Sequence, residues 1–372
     1  MLKNYSFSPI PARTGRAGFA FLSFRSPTMQ LKKGFKWTKM SNFRLNVKSL
    51  NQFLKRKIMG DRLFRNMTIL TTAIMMWVQY SAWAQATITM DNGVLKATFV
   101  DNSSYGVHKK GYNGISELSH KDQDSTLFVP DFSGVNLEHI FGGDSLISLF
   151  EPRRQPMTIE GISDRKVRLH QPETGISKVE SWTTFQLVDP HYIDVEFRFV
   201  VHDKSMFNHG YIGLFWASYI NSPEKLGINF EGKRKNSGDP SQWIYVQSAK
   251  HGENGTHMGD SDGYHFYMAP NFNVDLAVEV SEYVFTKPYY YGRFHNMVFA
   301  YLFDNPEEGT IRFSKSPNGA GEGKPAWDFQ YLLPEFEVGK EYSIRWRVVY
   351  KKWEGQKDIE KEFSSWSKTF KQ

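Results

Sequence analysis

The chain has no cysteine among its 372 residues. No disulfide can staple it and no thiolate can ligate a metal or attack a substrate, so stability must come from a buried core. There is no GxxxxGK loop to cradle a phosphate and no HExxH zinc helix. No cofactor is expected. Acidic residues are nearly missing from residues 1–66, where fifteen Lys/Arg face only Asp61, and residues 67–84 carry no charge. Residues 85–372 hold 31 basic and 38 acidic side chains, so the net +7 of the whole chain belongs to its leader and the body is mildly acidic. A nucleic-acid footprint needs a basic stripe on the folded domain, and the body offers only short clusters such as Lys233-Arg234-Lys235. Nucleic acid is excluded as a partner on that ground.

The leader has a reading of its own. Residues 67–80 are apolar, follow Lys55-Arg56-Lys57, Arg62 and Arg65, and lead to Ala82-Trp83-Ala84 before Gln85. A basic region, a short apolar run and an A-x-A site make a secretory signal peptide, and the run is shorter than the ~20 residues a span requires. Met59 or Met67 starts such a signal better than Met1. The expected organisation is a 1–58 extension without a fold, either a disordered arm or sequence upstream of the true start. A 59–84 signal and a single 85–372 domain follow. The domain is expected to be exported, periplasmic or extracellular, meeting the membrane only through the signal.

The body reads as β almost throughout. Asp91-Asn92-Gly93 between two apolar runs is a hairpin signal, because Asn-Gly accepts the positive φ of tight turns. Residues 191–201 alternate Ile193, Val195, Phe197, Phe199 and Val201 against Asp194, Glu196 and Arg198, the pattern of a half-buried antiparallel strand. Similar runs are 181–187, 211–219, 243–247, 274–280, 297–303, 310–313 and 341–350. Only 357–370 looks helical, with Ile359, Phe363, Trp366 and Phe370 on one face to pack back on a sheet. The fold class expected is all-β: a large antiparallel β-sandwich with a C-terminal amphipathic helix.

What remains for chemistry is histidine, carboxylate and aromatic side chains. Aromatic faces stack on the C–H faces of sugars and equally fill sheet interfaces. Trp216 and Trp346, in alternating strands, read as core; Trp327, after the Gly/Pro-rich 319–325, reads as a sugar contact. Four polar clusters stand out: Asn136-Leu137-Glu138-His139; Asn208-His209-Gly210-Tyr211; His251 with His257, Asp260, Asp262 and His265; and Trp327-Asp328-Phe329-Gln330. A histidine and a carboxylate reaching one pocket can share general acid and base roles. The third cluster is the one candidate metal site, through His251, His257 and Asp260 or Asp262, although no ligand spacing supports it. Tyr289-Tyr290-Tyr291-Gly292-Arg293 could clamp an acidic sugar through Arg293, or form an edge strand.

These segments together resemble the galactose mutarotase-like (aldose 1-epimerase) superfamily. "ITMDNGVLKATFV" looks like its first hairpin and "NLEHIFGG" is similar to its asparagine, leucine, histidine, double-glycine segment. "NHGYIGL" resembles its Asn-His-x-Tyr-Phe-Asn-Leu segment, and "WDFQYLLPEFEVGKEYSIRWRVVY" its late segment with a catalytic glutamate. Order and rough spacing agree across 86–350. The resemblance implies a β-supersandwich, with His139 and His209 flanking a sugar ring. His209 would protonate the ring oxygen, and Asp328 would replace the glutamate as base. Departures are Asp328 for glutamate, Gly213 for the second segment's Asn, an interruption of the first segment that includes Glu138, and no clear counterpart to the family's arginine.

The reading that follows is an exported carbohydrate-active protein, acting on or binding a sugar or polysaccharide fragment by His/Asp acid–base chemistry. Its candidate catalytic residues are His139, His209 and Asp328, with Glu138, Tyr211, Arg293, Trp327 and Gln330 on the substrate. The alternatives are a non-catalytic carbohydrate-binding or surface module, and a polysaccharide lyase with Tyr211 or Tyr289 as base and Arg293 on a uronic carboxylate. An enzyme would be epimerase-like, a glycoside hydrolase or a lyase. Nothing in the sequence fixes an oligomeric state.

Overall fold

The computed structural model describes residues 87–144, 150–270, 272 and 279–370. The leader expectations for 1–58 and 59–84, most of the 274–280 strand and the Phe370 side chain lie outside them. The described strands pair antiparallel in three sheets. The hairpin β1 (Thr87–Asp91) and β2 (Leu95–Val100) turns through Asn92-Gly93, with Gly93 at φ 81°, and pairs with β3 (Gly114–His120). A nine-stranded sheet runs, in spatial order, β11 (Gln242–Val246), β10 (Ile228–Arg234), β13 (Tyr283–Phe294), β14 (Met297–Phe303) and β17 (Glu341–Lys352). It continues through β8 (Tyr192–Val201), β7 (Val179–Val188), β6 (Lys166–Gln171) and β5 (Thr158–Ser163). A five-stranded sheet runs β12 (Thr256–His257), β15 (Thr310–Ser316), β16 (Ala326–Pro334), β9 (Tyr211–Ala217) and β4 (Asn136–Phe141).

The period-two alternation decides which faces meet. On β8, Ile193 to Val201 are buried at alternate positions, and on β9 Ile212, Leu214 and Trp216 join the same core. Trp216 lies against Phe197 at 4.9 Å, Phe329 at 5.0 Å and Trp346 at 5.5 Å, which seats the five-stranded sheet on the nine-stranded one. The result is an all-β antiparallel sandwich, with Trp216 and Trp346 in its core.

Two expectations change here. Trp327 faces this core and not a ligand: it is fully buried, its Nε1 donates to Leu226 O at 2.9 Å, and Gly292 lies against its ring. The alternation puts Trp327, Phe329 and Tyr331 inward and Asp328 and Gln330 on the opposite face. The 289–293 stretch belongs to β13, an interior strand between β10 and β14. Its register breaks near Pro288, which cannot donate to a ladder.

The tail forms helix α2 (Gln356–Ser367), following the short helix α1 (Glu151–Arg154) in chain order. Ile359, Phe363 and Trp366 of α2 cover Tyr289, Tyr291, Val298 and Val349 on the outer side of the nine-stranded sheet. Lys351 fixes the docking by donating to Asp358 at 3.2 Å and Glu362 at 3.0 Å. The helix therefore closes one sandwich face and leaves the outer face of the five-stranded sheet as the place where polar groups gather.

Candidate functional site

That outer face carries Tyr211, Gly213, Phe215 and Ala217 of β9, with a second apolar cluster around them. The register pairs His139 with Phe215, Phe215 with Gln330 and Gln330 with Arg312, so these four form one row across β4, β9, β16 and β15. Between Leu137 and His139 the ladder shifts by one residue, a bulge that accommodates Glu138. His139 packs between Phe150 and Phe215, at 4.6 and 5.3 Å, while Glu138 reaches Tyr219. The bulge thus turns both side chains toward the same face.

Around Glu138 the groups are tightly arranged. Its Oε1 accepts from Tyr219 Oη at 2.7 Å and from Arg153 Nη1 at 2.9 Å, and its Oε2 stands 3.7 Å from His139 Nε2. Arg153, from α1, also donates Nε–H to Gly111 O at 3.1 Å. Its guanidinium lies 3.9 Å over the Tyr112 ring and 4.8 Å over Phe150. Tyr112, Phe132 and Tyr219 form an aromatic wall with ring centroids 4.7 to 5.7 Å apart. Burial and the Glu138 charge hold the Tyr219 phenol well above its ordinary range, so it acts as a donor. Arg153 keeps 19% side-chain exposure, against 7% and 8% for Glu138 and His139.

The three residues expected to converge do not. Asp328, opposite Ala217 by register, and His139 are two strand spacings apart, roughly 10 Å. His209 lies in the turn before β9, beyond Tyr211, which is itself roughly 13 Å along the strand from the His139 row. It pairs instead with Asp144, Nε2 to Oδ1 at 2.7 Å, while Asn208 Nδ2 donates to the other carboxylate oxygen at 3.1 Å. The His209 and Asn208 hydrogen bonds hold Asp144 below its ordinary range. The ring of the exposed Tyr267 lies 4.2 Å from His209.

Asp328 is 1% exposed, accepts from Ser218 N at 2.8 Å, and is pushed well above 3.8 by desolvation. A carboxyl that solvent does not reach, and whose burial favours the protonated form, is not placed to deprotonate a bound sugar. A raised native pKa means the fold holds a proton the unfolded chain loses, so the contribution is full below 3.8 and fades as pH rises through the folded value. Asp328→Asn, neutral at every pH, is expected to gain on the parent by on the order of 1 kcal/mol as pH rises from acid to neutral. Melting curves at both pH values check this, and a parent that gains on the variant would mean an ionised Asp328.

The remaining expected residues scatter. Tyr211 is buried, and its hydroxyl donates to Tyr267 O at 2.8 Å; desolvation raises its pKa, the opposite of what a lyase base needs. Tyr289 lies under α2, donates to Glu231 at 2.5 Å and is raised by burial as well. Arg293 sits on the other sheet, spent on its own turn: it donates to Met297 O and His295 O, both at 3.2 Å, and lies over Trp353. Gln330 is buried beside Ser314 and Thr256. The metal candidates are engaged separately. His251 bonds Ser316 Oγ, Asp260 pairs with Lys233 at 2.8 Å and Asp262 with Arg312 at 2.7 Å. His257 is enclosed, pushed down to about 3 by burial, with Nδ1 on Tyr283 O. Among the described residues no group of three His, Cys, Asp or Glu could hold a metal ion.

Sequence reasoning missed Arg153, Tyr112, Tyr219 and Asp144, since their partners are 15 to 81 residues away, or 65 for Asp144, and no linear spacing marks them. No GxSxG nucleophile elbow is expected from the sequence; Gly259-Asp260-Ser261-Asp262-Gly263 does spell GxSxG, but it forms a turn with no strand–helix elbow around Ser261. Gly213, the odd residue of the second motif, has a physical reason: a Cβ there would stand 2.3 Å from the Phe141 ring. Gly213→Asn is expected to lose at least about 1–3 kcal/mol by overpacking, read as a lower denaturant midpoint. An unchanged midpoint would show that Phe141 can move aside.

No family model and no curated protein matches the chain. Among solved structures, it is similar to a candidate aldose 1-epimerase from Escherichia coli K12 at 9% identity and TM-score 0.42, over 72% of this chain and 99% of that one. It is also similar to a heparan sulfate lyase from Pedobacter heparinus at 12% identity and TM-score 0.36, over 73% of this chain and 35% of the lyase. A 4-alpha-glucanotransferase from Thermococcus litoralis matches at 12% identity and TM-score 0.35, over 72% of this chain and 37% of that one. Likeness at this level assigns no activity. The fold and site together define an antiparallel β-sandwich protein with a charged cluster backed by aromatic rings on its five-stranded sheet.

Proposed function

We propose that residues 85–372 are an exported carbohydrate-binding protein of the galactose mutarotase-like sandwich class, with its ligand at the Arg153 cluster. One observation carries this reading: Arg153 is held on Tyr112 and forked between Glu138 and Gly111 O, so a fixed donor and a fixed acceptor stand side by side against an aromatic wall. Sugars present adjacent hydroxyls that donate and accept, over apolar C–H faces, and such a site matches both. The order of motifs in the sequence supports the class. On a glycan array the protein is expected to bind a defined glycan set and to release no product from it. Absence of binding to every neutral and acidic glycan would sink the reading. Export predicts that the secreted or periplasmic form begins at Gln85, which N-terminal sequencing checks.

A second reading is favoured by the His209–Asp144 pair. With Nε2–H donated to an ionised Asp144, Nδ1 of His209 is a free acceptor able to serve as a general base. On that reading the protein turns over its glycan by epimerase-like, hydrolytic or lyase chemistry, and His209→Ala removes turnover while Arg153-dependent binding persists.

A further inference from the structure

We infer that the ligand is an extended oligosaccharide that runs from the Arg153 cluster to a second contact formed by Tyr264 and Tyr267. This rests on the carbohydrate-binding reading above and names its substrate class. Residues 262–269 form an irregular strap across the outer face of the five-stranded sheet. At one end, Asp262 accepts from Arg312 Nε at 2.7 Å and Tyr264 O from Arg312 Nη2 at 3.2 Å. At the other end, Tyr211 Oη donates to Tyr267 O at 2.8 Å and Ala269 N to Gly143 O at 2.7 Å. Phe266 packs beneath, 4.8 Å from Tyr211. The anchors are backbone groups, buried charges and inward side chains, so the strap is fixed while two of its tyrosines face solvent, Tyr264 41% and Tyr267 52% exposed.

Exposed tyrosine rings on a fixed backbone offer apolar area at little conformational cost. Polar groups that suit hydroxyls stand beside them, Asn208, His209 and Asp144, all in one hydrogen-bonded set. The Arg153 cluster lies at the Ala217 end of β9 and the strap's Tyr267 at the Tyr211 end, a separation of roughly 20 Å along the strand. A single sugar cannot touch both ends; a chain several rings long can.

The test is calorimetric titration of the mature protein with length ladders, from one unit to eight, of a neutral glucan, a xylan and a polygalacturonate. Affinity within the bound ladder is expected to rise by about tenfold or more between the two-unit and six-unit members. Tyr264→Ala with Tyr267→Ala should erase that rise and leave the two-unit affinity unchanged. These variants keep the strap's anchors, since the Tyr264 and Tyr267 groups that hold it are backbone carbonyls. Equal affinity for short and long members, or a double variant that binds six units as the parent does, overturns the extended ligand and leaves the sugar site standing. Failure of every ladder to bind overturns both.

Discussion

Arg153→Ala is expected to weaken glycan binding by about 10- to 100-fold and to lower stability at the same time. The binding loss follows from hydrogen bonds to a charged group, worth about 1.5–3 kcal/mol each. The stability loss follows from Glu138, which would keep its burial and lose its cationic partner. Breaking a fully buried pair costs about 3–5 kcal/mol, and the partial exposure of Arg153 reduces this to about 2 kcal/mol. Because one substitution does both, a second variant separates them. Arg153→Leu with Glu138→Gln removes both charges, and is expected to recover most of the stability but none of the binding. Arg153→Lys should bind poorly as well, since an ammonium cannot fork between Glu138 and Gly111 O while lying flat on Tyr112. Binding that survives in the Leu/Gln variant would move the ligand elsewhere.

Trp327→Ala is expected to cost about 3–5 kcal/mol, the range for emptying a large aromatic site in a core. It lowers the melting temperature by on the order of 10 °C. The indole fills the space that Gly292 leaves open, stacks 6.2 Å from Phe299, and its loss strands Leu226 O without its donor. Had Trp327 been a sugar platform, its truncation would cut affinity and leave the melting temperature almost unchanged. Thermal melts beside titrations distinguish the two, and a melting temperature within a degree or two of the parent would contradict the buried placement.

The sequence by itself determined the all-β class and part of the strand list, leaving β3, β4, β5, β6, β10, β16 and the short helix α1 unmarked. Alternation in 191–201 told inward from outward residues, Asn92-Gly93 marked the first hairpin, and the spacing of Ile359, Phe363 and Trp366 marked the closing helix. These are local signals, since a strand's period and a turn's positive φ are set within a few residues. The same locality misled at Trp327 and Asp328. Their motif was legible, but adjacent strand residues face opposite sides, and only the partner sheet decides which side is core. The tertiary structure alone decided the site. Register across β4, β9 and β16 set His209 apart from His139 and buried Asp328, and it brought Arg153 and Tyr219 onto Glu138. Contacts of that kind join residues distant in the chain, and they depend on strand order and a one-residue bulge that hydrophobic patterning does not encode.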